Sequence, residues 1–177
     1  LTDSMAAHAT TKPEKLYYLG EGLELIRGTL FRQTMFGEFQ LAIHEEIEKG
    51  NALSGKRMTE IYCNLLKRYH GDDKGVMKIN PDYCVEWAFI PHFYYGFYVW
   101  QYATSMAGAA QFTDAIEHEG APARDRYINM LKAGGSDYAY ELYKKAGIDM
   151  ATPAPYQALV ARMNRIMDQI DALEAEK

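Results

Sequence analysis

Apolar side chains recur every three or four residues along most of this sequence, and that regularity confines the chain to an all-α fold. The longest run passes through Leu19, Leu23, Ile26, Leu30, Met35, Phe39, Ile43 and Ile47, and predicts one amphipathic segment reaching Lys49. Thr11 ahead of Pro13 and Glu14 marks its start as a capping box with proline in the first turn. Gly50 suits its stop. Ser54 caps a second predicted helix, with Met58, Ile61, Leu65 and Leu66 on one face and Gly71 past its end. Residues 71–83 read as a loop. A third helical region follows Pro91 and runs to about Ile116. Shorter helices are expected over Ala123 to Leu131 and from Ser136 to Lys145, and Thr152-Pro153 opens the last one, expected to pack on the outside of the domain. No strand and no internal repeat is legible.

With 177 residues, 48% hydrophobic and 24% charged, the chain can bury a core, and 1–177 reads as one domain. The formal net charge is -5 and no cluster of Lys and Arg stands out, so no nucleic-acid partner is expected. Trp87 to Ala110 is the most membrane-like stretch, but Pro91, His92 and Gln101 interrupt it. It reads as a buried helix beside a polar cleft, with no membrane partner. Cys63 and Cys84 each sit in an apolar helical pattern, and buried free thiols in a reducing, cytoplasmic compartment are expected. The sequence begins with Leu1 rather than Met, so a processed product or a piece of something longer is expected.

A helical zinc site needs two histidines one turn apart, so that both rings reach one ion. His44-Glu45-Glu46 and His118-Glu119 supply His-Glu pairs, but no second His follows at that spacing, and both read as solvated acidic helix faces. No metal ligand is assigned within the chain. A nucleophile elbow, a phosphate loop and a dinucleotide fingerprint are also missing.

The informative stretch is Ile90 to Tyr102. On a helix, Tyr95, Tyr98 and Tyr102 are spaced by three and four, which puts their rings on one face leading away from His92. Such a row of hydroxyls could grip a peptide carbonyl or the oxyanion of a tetrahedral intermediate. Spacing alone favours the plainer alternative, an aromatic core stripe whose hydroxyls find backbone partners, because aromatics at helical spacing usually fill a core.

Four blocks decide between these readings by resemblance. Phe31 to Phe39 (Phe-Arg-Gln-Thr-Met-Phe-Gly-Glu-Phe) is similar to a signature of the oligoendopeptidase F family. Trp87 to Tyr98 resembles that family's histidine-tyrosine motif, and Leu131 to Tyr138 and Lys144 to Met150 resemble its C-terminal blocks. The resemblance covers nearly the whole chain, in order, and identifies it as the C-terminal helical portion of a zincin-like peptidase, related to thimet oligopeptidase.

It implies a zinc metalloendopeptidase acting on short peptides, with zinc as cofactor. The ligands (two His of an H-E-x-x-H helix and a Glu on the next) would lie before Leu1, in a missing N-terminal part of the same protein. This chain alone would then be inactive. Leu1 to about His8 would be the tail of the helix bearing the third ligand. By the same resemblance His92 and Tyr102 are catalytic, stabilising the oxyanion, while Tyr94, Tyr95 and Tyr98 bind substrate. The aromatic two places before Tyr102 is Trp100, which cannot act as a phenol. Arg32, Gln33 and Glu38 would brace the cleft. The rival reading is a non-catalytic, stand-alone helical peptide-binding module.

Overall fold

The computed structural model describes residues 2–176, so Leu1 of the expected ligand-helix tail lies outside the described residues. The chain is mostly helical, and no strand forms among the described residues. It divides into two compact units, one made of Leu1–Gly28 and Thr104–Lys177 and the other of Thr29–Ala103.

The first unit opens with α1 (Thr2–His8) and α2 (Lys12–Ile26). Thr11 caps α2 as expected, its Oγ1 accepting from the Glu14 amide at 3.4 Å, while Glu14 Oε2 reaches one residue past the cap and accepts from the Thr10 amide at 3.2 Å. The unit is completed by the later part of α5 (Trp100–Glu119), with α6 (Ala121–Ala133), α7 (Ala139–Lys145) and α8 (Ala154–Ala175). Helix α8 packs on α2, where Gly22 lets Ile166 come close, and Leu159 and Ile166 are fully buried. Arg162 of α8 forks onto Asp3 of α1 at 2.7 and 2.9 Å and holds the Asp3 carboxyl below its ordinary range.

A tighter contact lies between α5 and α7. A methyl group on Gly108 would overlap the ring of Tyr143, which itself packs on Phe112 at 5.7 Å between centroids. Gly108→Ala improves helix propensity by up to about 1 kcal/mol. Overpacking costs about 1–3 kcal/mol, so the net expectation is lost stability. A lower midpoint in chemical unfolding checks this, and an unchanged or higher midpoint contradicts it.

The long amphipathic run, which passes from the first unit into the second, is not α-helical throughout. A π-helical turn, Arg27–Phe31, separates α2 from α3 (Arg32–Glu48). Helix α4 (Gly55–His70) starts on Ser54, whose Oγ accepts from the Arg57 amide at 3.2 Å, and stops at left-handed Gly71. The stretch read as loop contains a 3₁₀ turn, Asp72–Lys74, and the start of a 3₁₀ segment, Pro81–Phe89, that returns along α4. The core joins Met35, Phe36 and Phe39 of α3 to Tyr62, Leu65 and Leu66 of α4, with Ile79, Cys84 and Val99.

Two expectations are corrected here. Cys63 and Cys84 are not free: they form a disulfide, with their Cα atoms 4.6 Å apart. Twenty-one residues separate them in sequence, but the Pro81–Phe89 segment folds back on α4 and lays Cys84 over Cys63. The thiols therefore carry no argument about compartment. Second, residues 91–99 are not a buried helix. A 3₁₀ turn (Pro91–Tyr94) gives way to irregular turns in which Gly96 and Phe97 both adopt positive φ, 54° and 58°, and α5 begins only at Trp100. Phe89, Tyr94 and Tyr95 are largely exposed. No helix among the described residues is long and apolar enough to cross a membrane.

Candidate functional site

The links that hold the backbone leading into His92 lie within the second unit. The Pro81–Phe89 segment leads into His92 and is fastened to α4 by three links. Besides the disulfide, Tyr62 donates to Glu86 Oε2 at 2.6 Å, and Trp87 Nε1 donates to Thr59 Oγ1 at 3.1 Å. Glu86 also pairs with Arg32 of α3, whose guanidinium lies over the Phe36 ring at 4.8 Å. Burial, then the bond to Glu86, pushes the Tyr62 phenol far above its ordinary range, so it remains a donor. Arg32 thus ties α3 to the segment that leads into His92. Glu38 instead pairs with Arg68 and accepts from Tyr69 at 3.0 Å on the face toward α4, and Gln33 Oε1 is buried without a partner.

Although the helix expected over residues 91–99 is absent, the turn still gathers the predicted rings. His92 stacks on Tyr98 with centroids 5.7 Å apart and planes 10° from parallel, and meets Tyr102 edge-on at 6.3 Å. Tyr95 and Tyr102 flank Tyr98 at 6.1 and 5.6 Å. The hydroxyls of Tyr98 and Tyr102 are 3.0 Å apart. Tyr94 is not part of this ring cluster; it stands 80% exposed. His92 Nδ1 is buried and makes no hydrogen bond, a rarity that calls for a reason in a folded protein.

The hydrogen bond with Tyr102, and after it desolvation, raises the Tyr98 phenol from 10 to about 12. Its proton is therefore held throughout the neutral range, so Tyr98 carries an O–H rather than a phenolate. A raised folded-state pKa contributes stability that is complete below the unfolded value and is lost as pH rises through the folded one. Phenolate absorbance followed during alkaline titration should show that Tyr98→Phe deletes a group ionising near pH 12. Deletion of a group ionising near the ordinary value of about 10 would contradict the shared hydrogen bond.

The His-Glu pairs do not assemble a metal centre. His44 Nδ1 lies 2.7 Å from the Gln40 carbonyl and its ring packs on Phe97, while His118 Nδ1 lies 2.7 Å from the Asp114 carbonyl. Among the described residues no group of three or more His, Cys, Asp and Glu could hold a metal ion.

Comparison with known proteins decides what kind of chain carries this cluster. Residues 3–162 match Peptidase family M3. The chain belongs to peptidase family M3. It is 44% identical over 160 residues to oligopeptidase PepF of Bacillus subtilis, covering 90% of this chain and 23% of that protein. It is 33% identical over 173 residues to the chromosomal oligoendopeptidase F of Lactococcus lactis, covering 98% and 28%. The crystal structure of oligoendopeptidase-F from Enterococcus faecium superposes with a TM-score of 0.92 at 32% identity, over 99% of this chain and 33% of that one. The chain therefore spans about a quarter to a third of the length of these relatives. The M3 assignment and the all-α fold agree with what the four sequence blocks implied.

Sequence reasoning missed three parts of this site: Glu86, Tyr62 and Gln40. Glu86 is the lone acid between Tyr83-Cys84-Val85 and Trp87-Ala88-Phe89, a signal that a partnered, half-buried carboxylate was present. Gln40, one of the few polar residues on the inner side of α3, is 1% exposed.

Proposed function

We propose that the complete protein is a zinc metalloendopeptidase hydrolysing internal bonds of short peptides, and that residues 1–177 are part of its catalytic domain, supplying the substrate-binding and oxyanion-stabilising wall. The observation that carries this reading is the His92–Tyr98–Tyr102 cluster, which sets two phenol hydroxyls 3.0 Å apart beside the histidine ring on a braced turn. No group of the described residues fits a metal, so the reading assigns the zinc ligands to a part of the complete protein outside residues 1–177, and no step is derived through them.

What this chain contributes is charge stabilisation. With Nδ1 buried, Nε2 is the nitrogen that His92 has for a ligand. An N–H or O–H aimed at an oxygen that gains charge in the transition state is worth far more there than against the ground-state carbonyl. His92 and Tyr102 take that role. The exposed Tyr94 and Tyr95, with Tyr98, take the peptide backbone and side chains, combining a large apolar surface with a polar tip.

The test is to offer the complete protein a ladder of peptides of increasing length together with a folded protein, and to identify products by mass. Cleavage at internal bonds of the short peptides, with the folded protein spared and activity lost to a zinc chelator, is the expected result. Peptide binding without cleavage would replace the enzyme by a binding module.

A further inference from the structure

Helix α3 does more than fill the core beneath the tyrosine turn. Gln40 is the buried polar side chain of the described core, 1% exposed, and its Nε2 donates to the backbone carbonyl of Phe93 at 3.3 Å. Phe93 directly follows His92, and its ring is clamped between Phe36 and Phe39, each at 5.1 Å. One turn further along α3, His44 is fixed by the Gln40 carbonyl and packs at 4.5 Å on Phe97, the one described non-glycine residue with positive φ. The two side chains thus hold the turn at Phe93 and at Phe97, on either side of Tyr94–Gly96 and immediately before Tyr98. Left-handed backbone at a bulky residue persists only where its surroundings impose it. A buried amide with an unpaired oxygen is costly, and an apolar residue of that size would pack here without the cost.

From this geometry we propose that Gln40 is a positioning residue of the peptidase site, acting through the Phe93 carbonyl to set where the rings of His92 and Tyr98 stand. This rests on the peptidase reading above. Gln40 touches neither substrate nor reacting atoms in this account. Its effect is to keep the donors of the cluster within the narrow range that transition-state stabilisation requires, where misplacement by about 1 Å can cost about a hundredfold.

The experiment uses the complete protein with Gln40→Met and Gln40→Glu. Methionine keeps the volume and removes the donor. Gln40→Met should lower kcat about tenfold or more with KM changed less than about twofold. It should also speed amide hydrogen exchange across residues 92–98 while leaving α4 unchanged. Glutamic acid restores an O–H donor only while protonated, and burial raises its pKa. The kcat of Gln40→Glu relative to wild type should therefore be highest at low pH and fall as the carboxyl ionises, a profile that a purely structural role would not produce. Wild-type kcat and unchanged exchange in Gln40→Met would overturn the proposal. If Gln40→Met does not fold, a ratio for Gln40→Glu that is flat with pH overturns it instead. An inactive wild type would sink the peptidase reading, and the exchange measurement would still decide whether Gln40 holds the turn.

Discussion

If the complete protein is the proposed peptidase, Tyr102→Phe in it should lower kcat about a hundredfold or more while KM stays within about twofold. The substitution removes one oxygen and leaves the ring, which keeps its contacts with His92 at 6.3 Å and Tyr98 at 5.6 Å. Ground-state peptide binding, spread over several exposed tyrosines, should hardly notice. A developing oxyanion would lose one of a few donors, and the loss of one such donor is worth about 2.7–4 kcal/mol in other hydrolases. The Tyr98 hydroxyl loses its partner at 3.0 Å but remains open to water, so folding should be preserved. Steady-state kinetics separate the possibilities: a raised KM with kcat intact would move Tyr102 from catalysis to substrate binding.

The largest loss of stability is expected for Phe39→Ala. Phe39 is 1% exposed and its ring packs on Tyr62, Trp87 and Phe93 at 5.2, 6.4 and 5.1 Å. It therefore joins α3 to α4, to the 3₁₀ segment and to the turn that carries His92. Truncating a fully buried phenylalanine costs about 3–5 kcal/mol through lost transfer energy and the cavity left behind. Hydrogen exchange of the α3 and α4 amides should show their opening free energy reduced by that amount. Activity should fall as well, because Phe93 loses one of its two clamping rings. Exchange that is unchanged in α4 would mean that the site collapses around the cavity and that Phe39 does not organise this unit.

Most of the helices were legible because their signals are local. Thr11 and Ser54 cap, and Gly71 stops, where the sequence says they should, since each depends on hydrogen bonds within a few residues. The stretch from Pro91 to Val99 was not legible. Its apolar content mimics a buried helix, but Gly96 and Phe97 take positive φ and break the hydrogen-bonding pattern. Phe97 gives no composition warning, and the ring packed against it, His44, lies fifty-three residues earlier. The cysteine pair failed for the same reason: the return of the Pro81–Phe89 segment along α4 is a tertiary event, with no local trace around Cys63 or Cys84. The gathering of Tyr95, Tyr98 and Tyr102 was anticipated through the wrong geometry, since the rings meet at the end of an irregular turn and the first turn of α5 rather than along one helix face. Gln40 and Glu86 act across elements, and only the three-dimensional arrangement shows what they hold.

The most direct measurement of the account is the affinity of the complete protein for a peptide analogue with a tetrahedral phosphinate in place of the scissile bond. It is made across wild type, His92→Gln, Tyr98→Phe and Tyr102→Phe, beside kcat/KM for the matching peptide. If this wall stabilises the transition state, each loss in kcat/KM should be matched by an equal loss in analogue affinity, a slope of about one on logarithmic axes. Analogue affinity that stays constant while kcat/KM falls would contradict the placement of the His92–Tyr102 cluster at the reacting carbonyl.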